Sequence, residues 1–144
     1  MRKICTFKVN ETSFGIDVLK VLGVLFQTDV VRVPHANKSI QGVILHRGQI
    51  LTVVDLRKKF EMPDRAPDQK PLHTIVKTKR GLVSFLVDEV GEIQDIQQNT
   101  RMEISKQVMG IDSFFVSHSY KINGVLLSII DAEKIIDMKS ELSM

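Results

Sequence analysis

Apolar residues along this chain fall in short runs broken by turn residues, and β-branched and aliphatic side chains dominate the runs. That pattern predicts strands rather than long helices. The most apolar stretch, Gly42 to Phe60 (GVILHRGQILTVVDLRKKF), carries two runs, Val43-Ile44-Leu45 and Ile50 to Leu56, around Arg47-Gly48-Gln49. It predicts a β-hairpin with Arg47 lifted out at the tip. Ile50, Val54 and Leu56 point one way and Leu51 and Val53 the other, so this strand should be covered on both faces. The hairpin is therefore expected near the middle of the protein. Asp55 is placed to cap a short helical turn beyond it, because a carboxylate accepts the orphan backbone N–H groups there.

The remaining runs extend the picture. Ile4 to Val9 and Ser13 to Val18 read as strands about the turn Asn10-Glu11-Thr12. Residues 19–26 fit a strand or a short helix broken at Gly23, and extended structure with one bend is the favoured reading. Thr28 to Pro34 reads as a short extended piece, and His35 to Gln41 as a polar connection. Residues 61–72 hold three of the four prolines with five charges, the signature of a linker or exposed loop. His73 to Lys77 and Leu82 to Val87 predict a second hairpin. Residues 88–113 are polar and read as a long connection with some helix or turn. Lys121 to Gly124 predicts a turn into Val125 to Ile130, and Asp131 caps a closing helix to about Leu142.

The two halves of the chain resemble each other. Gly48 to Asp55 (GQILTVVD) aligns with Gly124 to Asp131 (GVLLSIID), and Ser13 to Asp17 (SFGID) with Ser84 to Asp88 (SFLVD), in the same order. Two ordered matches, with the proline-rich loop between them, predict two similar small β-modules, at approximately 1–70 and 71–144, with some strand exchange between them. A single strand-rich sheet with chance similarity is the alternative.

Composition narrows the function classes. The 144 residues are 43% hydrophobic and 26% charged, ordinary for a soluble domain. The one cysteine, Cys5, allows no internal disulfide, which fits a reducing compartment. No apolar run approaches the roughly 20 residues of a membrane helix, so no direct membrane insertion is expected. His35, His46, His73 and His118 lie at no metal-ligand spacing, and no phosphate loop or nucleophile elbow occurs, so neither catalysis nor a cofactor is expected. Asp17, Asp55, Asp88 and Asp131 end strands at repeat-related positions and read as caps and turn residues. The net charge of +3 and the clusters Arg57-Lys58-Lys59 and Lys77-Lys79-Arg80 admit two readings, solvated surfaces or a small nucleic-acid-binding β-barrel. The aromatic residues argue against the second, since most sit in apolar runs rather than on a stacking platform. Arg47 stands apart. Its five donors on a planar fork suit an anchor in a protein interface.

In order, FGIDVLKV, TDVVRVP, GVILHRGQILTVVDLRKKF, FLVDEVGEI, GIDSFFV and INGVLLSIIDAEKI resemble the CheW family of chemotaxis coupling proteins, over about Ile4 to Met138. The resemblance implies a mainly β fold: two intertwined five-stranded SH3-like β-barrels around a shared apolar core, with a short C-terminal helix. It implies a non-catalytic, cytoplasmic adaptor without cofactors. Such an adaptor joins the cytoplasmic signalling tips of chemoreceptors to the regulatory domain of the histidine kinase CheA in signalling arrays. A scaffold of a non-flagellar chemosensory pathway is a variant of the same reading. Carried over residue by residue, the resemblance marks Gly42, Arg47 and Gly48 as partner-binding positions. It also places Val21, Val33 and Val87 in segments that line a groove between the modules, where a receptor helix docks. The chain departs from the family's usual pattern at Gly23, Leu45-His46, Thr52 and His118.

Overall fold

The computed structural model describes residues 2–26, 28–34, 37–96, 101–102, 107–108 and 111–137. The strands are β1 (Arg2–Val9), β2 (Thr12–Asp17), β3 (Val21–Leu25), β4 (Ile40–His46), β5 (Gln49–Asp55), β6 (Leu72–Thr78), β7 (Gly81–Val87), β8 (Glu89–Ile96), β9 (Arg101–Met102), β10 (Gln107–Val108), β11 (Ile111–Asp112), β12 (Val116–Ile122) and β13 (Val125–Ile130). Two short helices, α1 (Leu56–Lys59) and α2 (Ala132–Ile136), are each preceded directly by an aspartate, Asp55 at the end of β5 and Asp131 just after β13.

One sheet has the order β3-β6-β7-β5-β4. The other has five long strands in the order β8-β1-β2-β13-β12, with the two-residue β9 at its edge. The orders are equivalent. Each sheet is two antiparallel hairpins joined by one parallel pair, β5 with β7 and β13 with β2. The first sheet is made entirely within residues 21–87, and the second from the two ends of the chain. Set against halves at about 1–70 and 71–144, β1 and β2 therefore pair with strands of the second half, and β6 and β7 with strands of the first.

Alternation along β5 builds the core. Leu51 and Val53 point into the first sheet's own cluster with Ile44, Ile75 and Leu86. Val54 on the opposite face, with Leu56 beyond the strand, joins Phe14, Phe85 and Ile135 in a larger cluster shared by both sheets. The second sheet encloses a third cluster of Ile4, Ile96, Tyr120, Leu127 and Ile129. The expected fold of two five-stranded units about a shared apolar core is thus the fold observed.

The duplicated aspartates cap as expected. The Asp55 carboxylate accepts the Arg57 N–H at 3.0 Å, and Asp131 accepts from Glu133 at 3.0 Å. A terminal carboxylate in this position stabilises a helix by about 1 kcal/mol. Asp17 caps a 3₁₀ turn over Val18–Lys20.

Several expectations need correction. The Gly42–Phe60 hairpin is not central, because β4 is an edge strand of its sheet and only β5 lies inside. Residues 88–113 are not mainly a connection. Glu89–Ile96 is a full strand, and it reads as polar because β8 is an edge strand with only Ile96 buried. Thr28–Pro34, read as a short extended piece, meets β4 through a single antiparallel bridge between Val31 and Val43, in keeping with that reading. The closing helix ends at Ile136, one turn after its cap, and residues 138–144 lie outside the described residues. Arg57 and Lys59 are buried rather than on a solvated helix face.

Candidate partner-binding site

The β4–β5 hairpin closes through Arg47 and Gly48, with His46 paired to Gln49. Both turn residues have positive φ, 50° and 78°, as a two-residue turn matched to strand twist requires. Glycine meets that demand at position 48 without cost. Arginine at position 47 does not, since a left-handed backbone costs most L-residues about 1–2 kcal/mol. Asparagine is the favoured residue in such a position, and the equivalent turn of the second sheet has it: Asn123 and Gly124 show φ of 50° and 79°. Glu11 and Glu61 hold positive φ as well, so the strain at Arg47 gains meaning only beside what surrounds it.

Two neighbours supply that setting. Leu45 and Ile50 face each other directly across the hairpin, and they are 71% and 73% exposed. They stand on the face of β5 that carries Val54 into the shared core, so the apolar surface runs from the core out to the tip. His46, Arg47 and Gln49 then border a cleft of about 280 Å³ against Leu22, Gly23 and Val24 of β3. The tip thus offers a planar cation beside an exposed apolar pair, the composition of an interface anchor. Sequence reasoning counted Ile50 as core and passed over Leu45. Their position as the last apolar pair before the turn was the signal available, because a pair that far out has nothing above it to cover it.

The other marked positions do not all share this surface. Gly42 is buried on β4 with φ 147°, and a side chain there would run into the Val31 carbonyl. It lets residues 28–34 cross β4, where Val31 and Val43 exchange hydrogen bonds of 2.8 and 2.9 Å. Its observed role is to seat that crossing. Val21 is half-buried against the shared core at the start of β3. Val33, 39% exposed, borders a different, shallow groove of about 800 Å³ with Arg32, Lys58 and Met62. Val87 is fully buried in the shared core and has no surface to offer a partner.

Among the described residues, no group of three or more His, Cys, Asp or Glu side chains could hold a metal ion. His73 is buried on β6, with its Nδ1 2.8 Å from the Ser84 hydroxyl, and burial lowers its pKa. Burial, and secondarily the charge of Asp17, raises the Cys5 thiol, so it is not an activated nucleophile. The basic cluster at 57–59 is not presented as a patch either. Arg57 is bound to Asp88, and the Lys59 ammonium lies 5.4 Å from the centre of the Phe115 ring. No helix among the described residues is long and apolar enough to cross a membrane.

Two barrel-like sheets of one plan, one of them ending in a cationic and apolar hairpin tip, make up the fold. The chain belongs to the CheW-like domain family, whose pattern matches residues 3–140. It is 27% identical over 141 residues to the chemotaxis protein CheW of Bacillus subtilis, covering 98% of this chain and 90% of that one. It is 28% identical over 140 residues to the chemotaxis protein CheW of Thermotoga maritima, covering 94% and 87%. The crystal structure of the scaffolding protein TtCheW from Thermoanaerobacter tengcongensis superposes with a TM-score of 0.86 at 28% identity, over 96% of this chain and 94% of that one.

Proposed function

We propose that this protein is a non-catalytic chemotaxis adaptor. It acts in the cytoplasm and couples the signalling tips of chemoreceptors to the regulatory domain of the histidine kinase CheA within an array. The family and the full-length similarity to CheW scaffolds support the class. One observation carries the assignment of the site: Arg47 holds a left-handed turn position that its structural counterpart fills with asparagine, beside two exposed apolar residues. Gly48 sets the turn, Val21 packs against the shared core, Val33 borders a separate groove, and Gly42 and Val87 support the structure from within.

Co-sedimentation tests this reading. The protein is mixed with a chemoreceptor signalling fragment and the kinase from the same genome, as wild type and as Arg47→Glu. Wild type should join the pellet and raise kinase activity, and the folded variant should do neither. Wild type remaining in the supernatant with every such receptor and kinase would overturn the adaptor reading. Equal pelleting of the variant would remove Arg47 from the contact.

A further inference from the structure

The crossing between the two sheets contains a buried ionic quartet. Asp55, Arg57, Arg65 and Asp88 have side chains only 5–9% exposed. Asp88, between β7 of one sheet and β8 of the other, accepts from Arg57 Nη2 at 2.6 Å and from Arg65 Nε at 2.6 Å. Arg65 Nη1 also donates to both Asp55 oxygens, at 2.9 and 3.0 Å. The charges balance, two against two, and each guanidinium nitrogen and carboxylate oxygen of the four has a partner, which is what keeps buried ions from destabilising a fold.

Two further links make the quartet more than a local pair. Asp88 accepts the Asn10 N–H at 2.6 Å and its own N–H donates to the Lys8 carbonyl at 2.9 Å, so the β1–β2 hairpin of the second sheet is tied to the end of the first. Arg57 Nη1 donates to the Pro63 carbonyl at 3.0 Å, and Arg65 itself belongs to the proline-rich loop. That loop supplies Glu61, Met62 and Asp64 to the wall of the groove that Val33 borders on the other side.

We propose that the quartet is an interlock with two outputs: it couples the two sheets into one cooperative unit, and it clamps residues 61–66 as a fixed groove wall. Arg65 governs the second output and Asp88 both. In Arg65→Met, Asp88 keeps Arg57 and Asn10 and Asp55 keeps its cap on α1, but the quartet is left one cation short, so the whole fold loses some stability while the loop loses its restraint.

Amide exchange of the full chain reads both outputs. Arg65→Met should speed exchange in residues 61–71 by about ten-fold or more beyond any change in β5 and β7, as expected when a local opening loses its restraint. In wild type, the interlock requires β1 and β8 to open together with β5 and β7, sharing one dependence on denaturant. In Asp88→Asn, β1 and β8 should open ahead of β5 and β7. The clamp is overturned if Arg65→Met leaves loop exchange unchanged or speeds every strand as much as the loop. The coupling is overturned if the two sheets already open separately in wild type, a measurement that stands even if Asp88→Asn does not fold. It is also overturned if a folded Asp88→Asn keeps all four strands in step.

Discussion

The two hairpin tips, Arg47-Gly48 and Asn123-Gly124, have the same backbone and opposite chemistry. Their φ angles agree within a degree, their sheets have the same strand order, and each is followed by a strand that leads into a capping aspartate. At the first tip, the turn is flanked by polar His46 and Gln49, and the next pair, Leu45 and Ile50, is apolar and exposed. At the second, the turn is flanked by Ile122 and an exposed Val125, and the next pair is Lys121 and a half-buried Leu126. The second tip has the residues a turn prefers. The first accepts backbone strain and exposed apolar surface together. Geometry common to both belongs to the fold, and what only the first carries is the better guide to use.

The largest effect should come from charge reversal. Arg47→Glu is expected to weaken partner binding by about 30-fold or more, the loss of a central interface anchor, whereas Asn123→Glu should change it by no more than about two-fold. Titration against the receptor fragment and kinase measures both, and equal losses at the two tips would erase the functional asymmetry. Acid should separate the tips from the junction. Burial alone would raise the Asp88 carboxyl, but the Arg57 hydrogen bonds, the Asn10 N–H and the Arg65 charge outweigh it and hold the group below its ordinary 3.8. Its stabilisation is therefore complete above that value and lost as pH falls through the folded pKa. His73 is depressed from 6.5 by burial, so its contribution begins to fall already as pH drops below 6.5. Urea midpoints from pH 8 to pH 3 should fall in these two windows, and His73→Gln should flatten only the upper one. The smallest effect should come from exchanging the turn residues. Arg47→Asn is expected to raise stability by about 0.5–1 kcal/mol and Asn123→Arg to lower it by as much, because only the left-handed strain changes. Thermal melts giving shifts of the same sign would show that the tips differ in more than side chain.

The same asymmetry explains what the sequence made legible. Repeated motifs, turn glycines and strand-end aspartates report on backbone demands, so the duplicated plan, both tips and the caps at Asp55 and Asp131 could be read directly. The edge strand β8 could not, since a strand that buries one residue in eight carries no apolar rhythm to detect. The ionic quartet escaped for a related reason. Arg57 and Arg65 have the composition of exposed positions, and only the fold brings them to Asp88. At the candidate site, Arg47 was legible from its place beside Gly48. The exposure of Leu45 and Ile50 was not, because an apolar residue looks the same in sequence whether it is covered or waiting for a partner. Val87 carried the opposite ambiguity and proved to be core.

The nesting of one sheet inside the other sets the order in which the molecule can be assembled as it is made. Phe14 of β2 pairs with Ser128 of β13, while every strand of the first sheet is available once Val87 has been added. At about 5–20 residues per second, the amino-terminal hairpin therefore waits on the order of ten seconds for the strand that covers its inner edge. The inserted unit matures first and the enclosing unit closes around it last. The β1–β2 hairpin thus has no complete home until β13 has emerged.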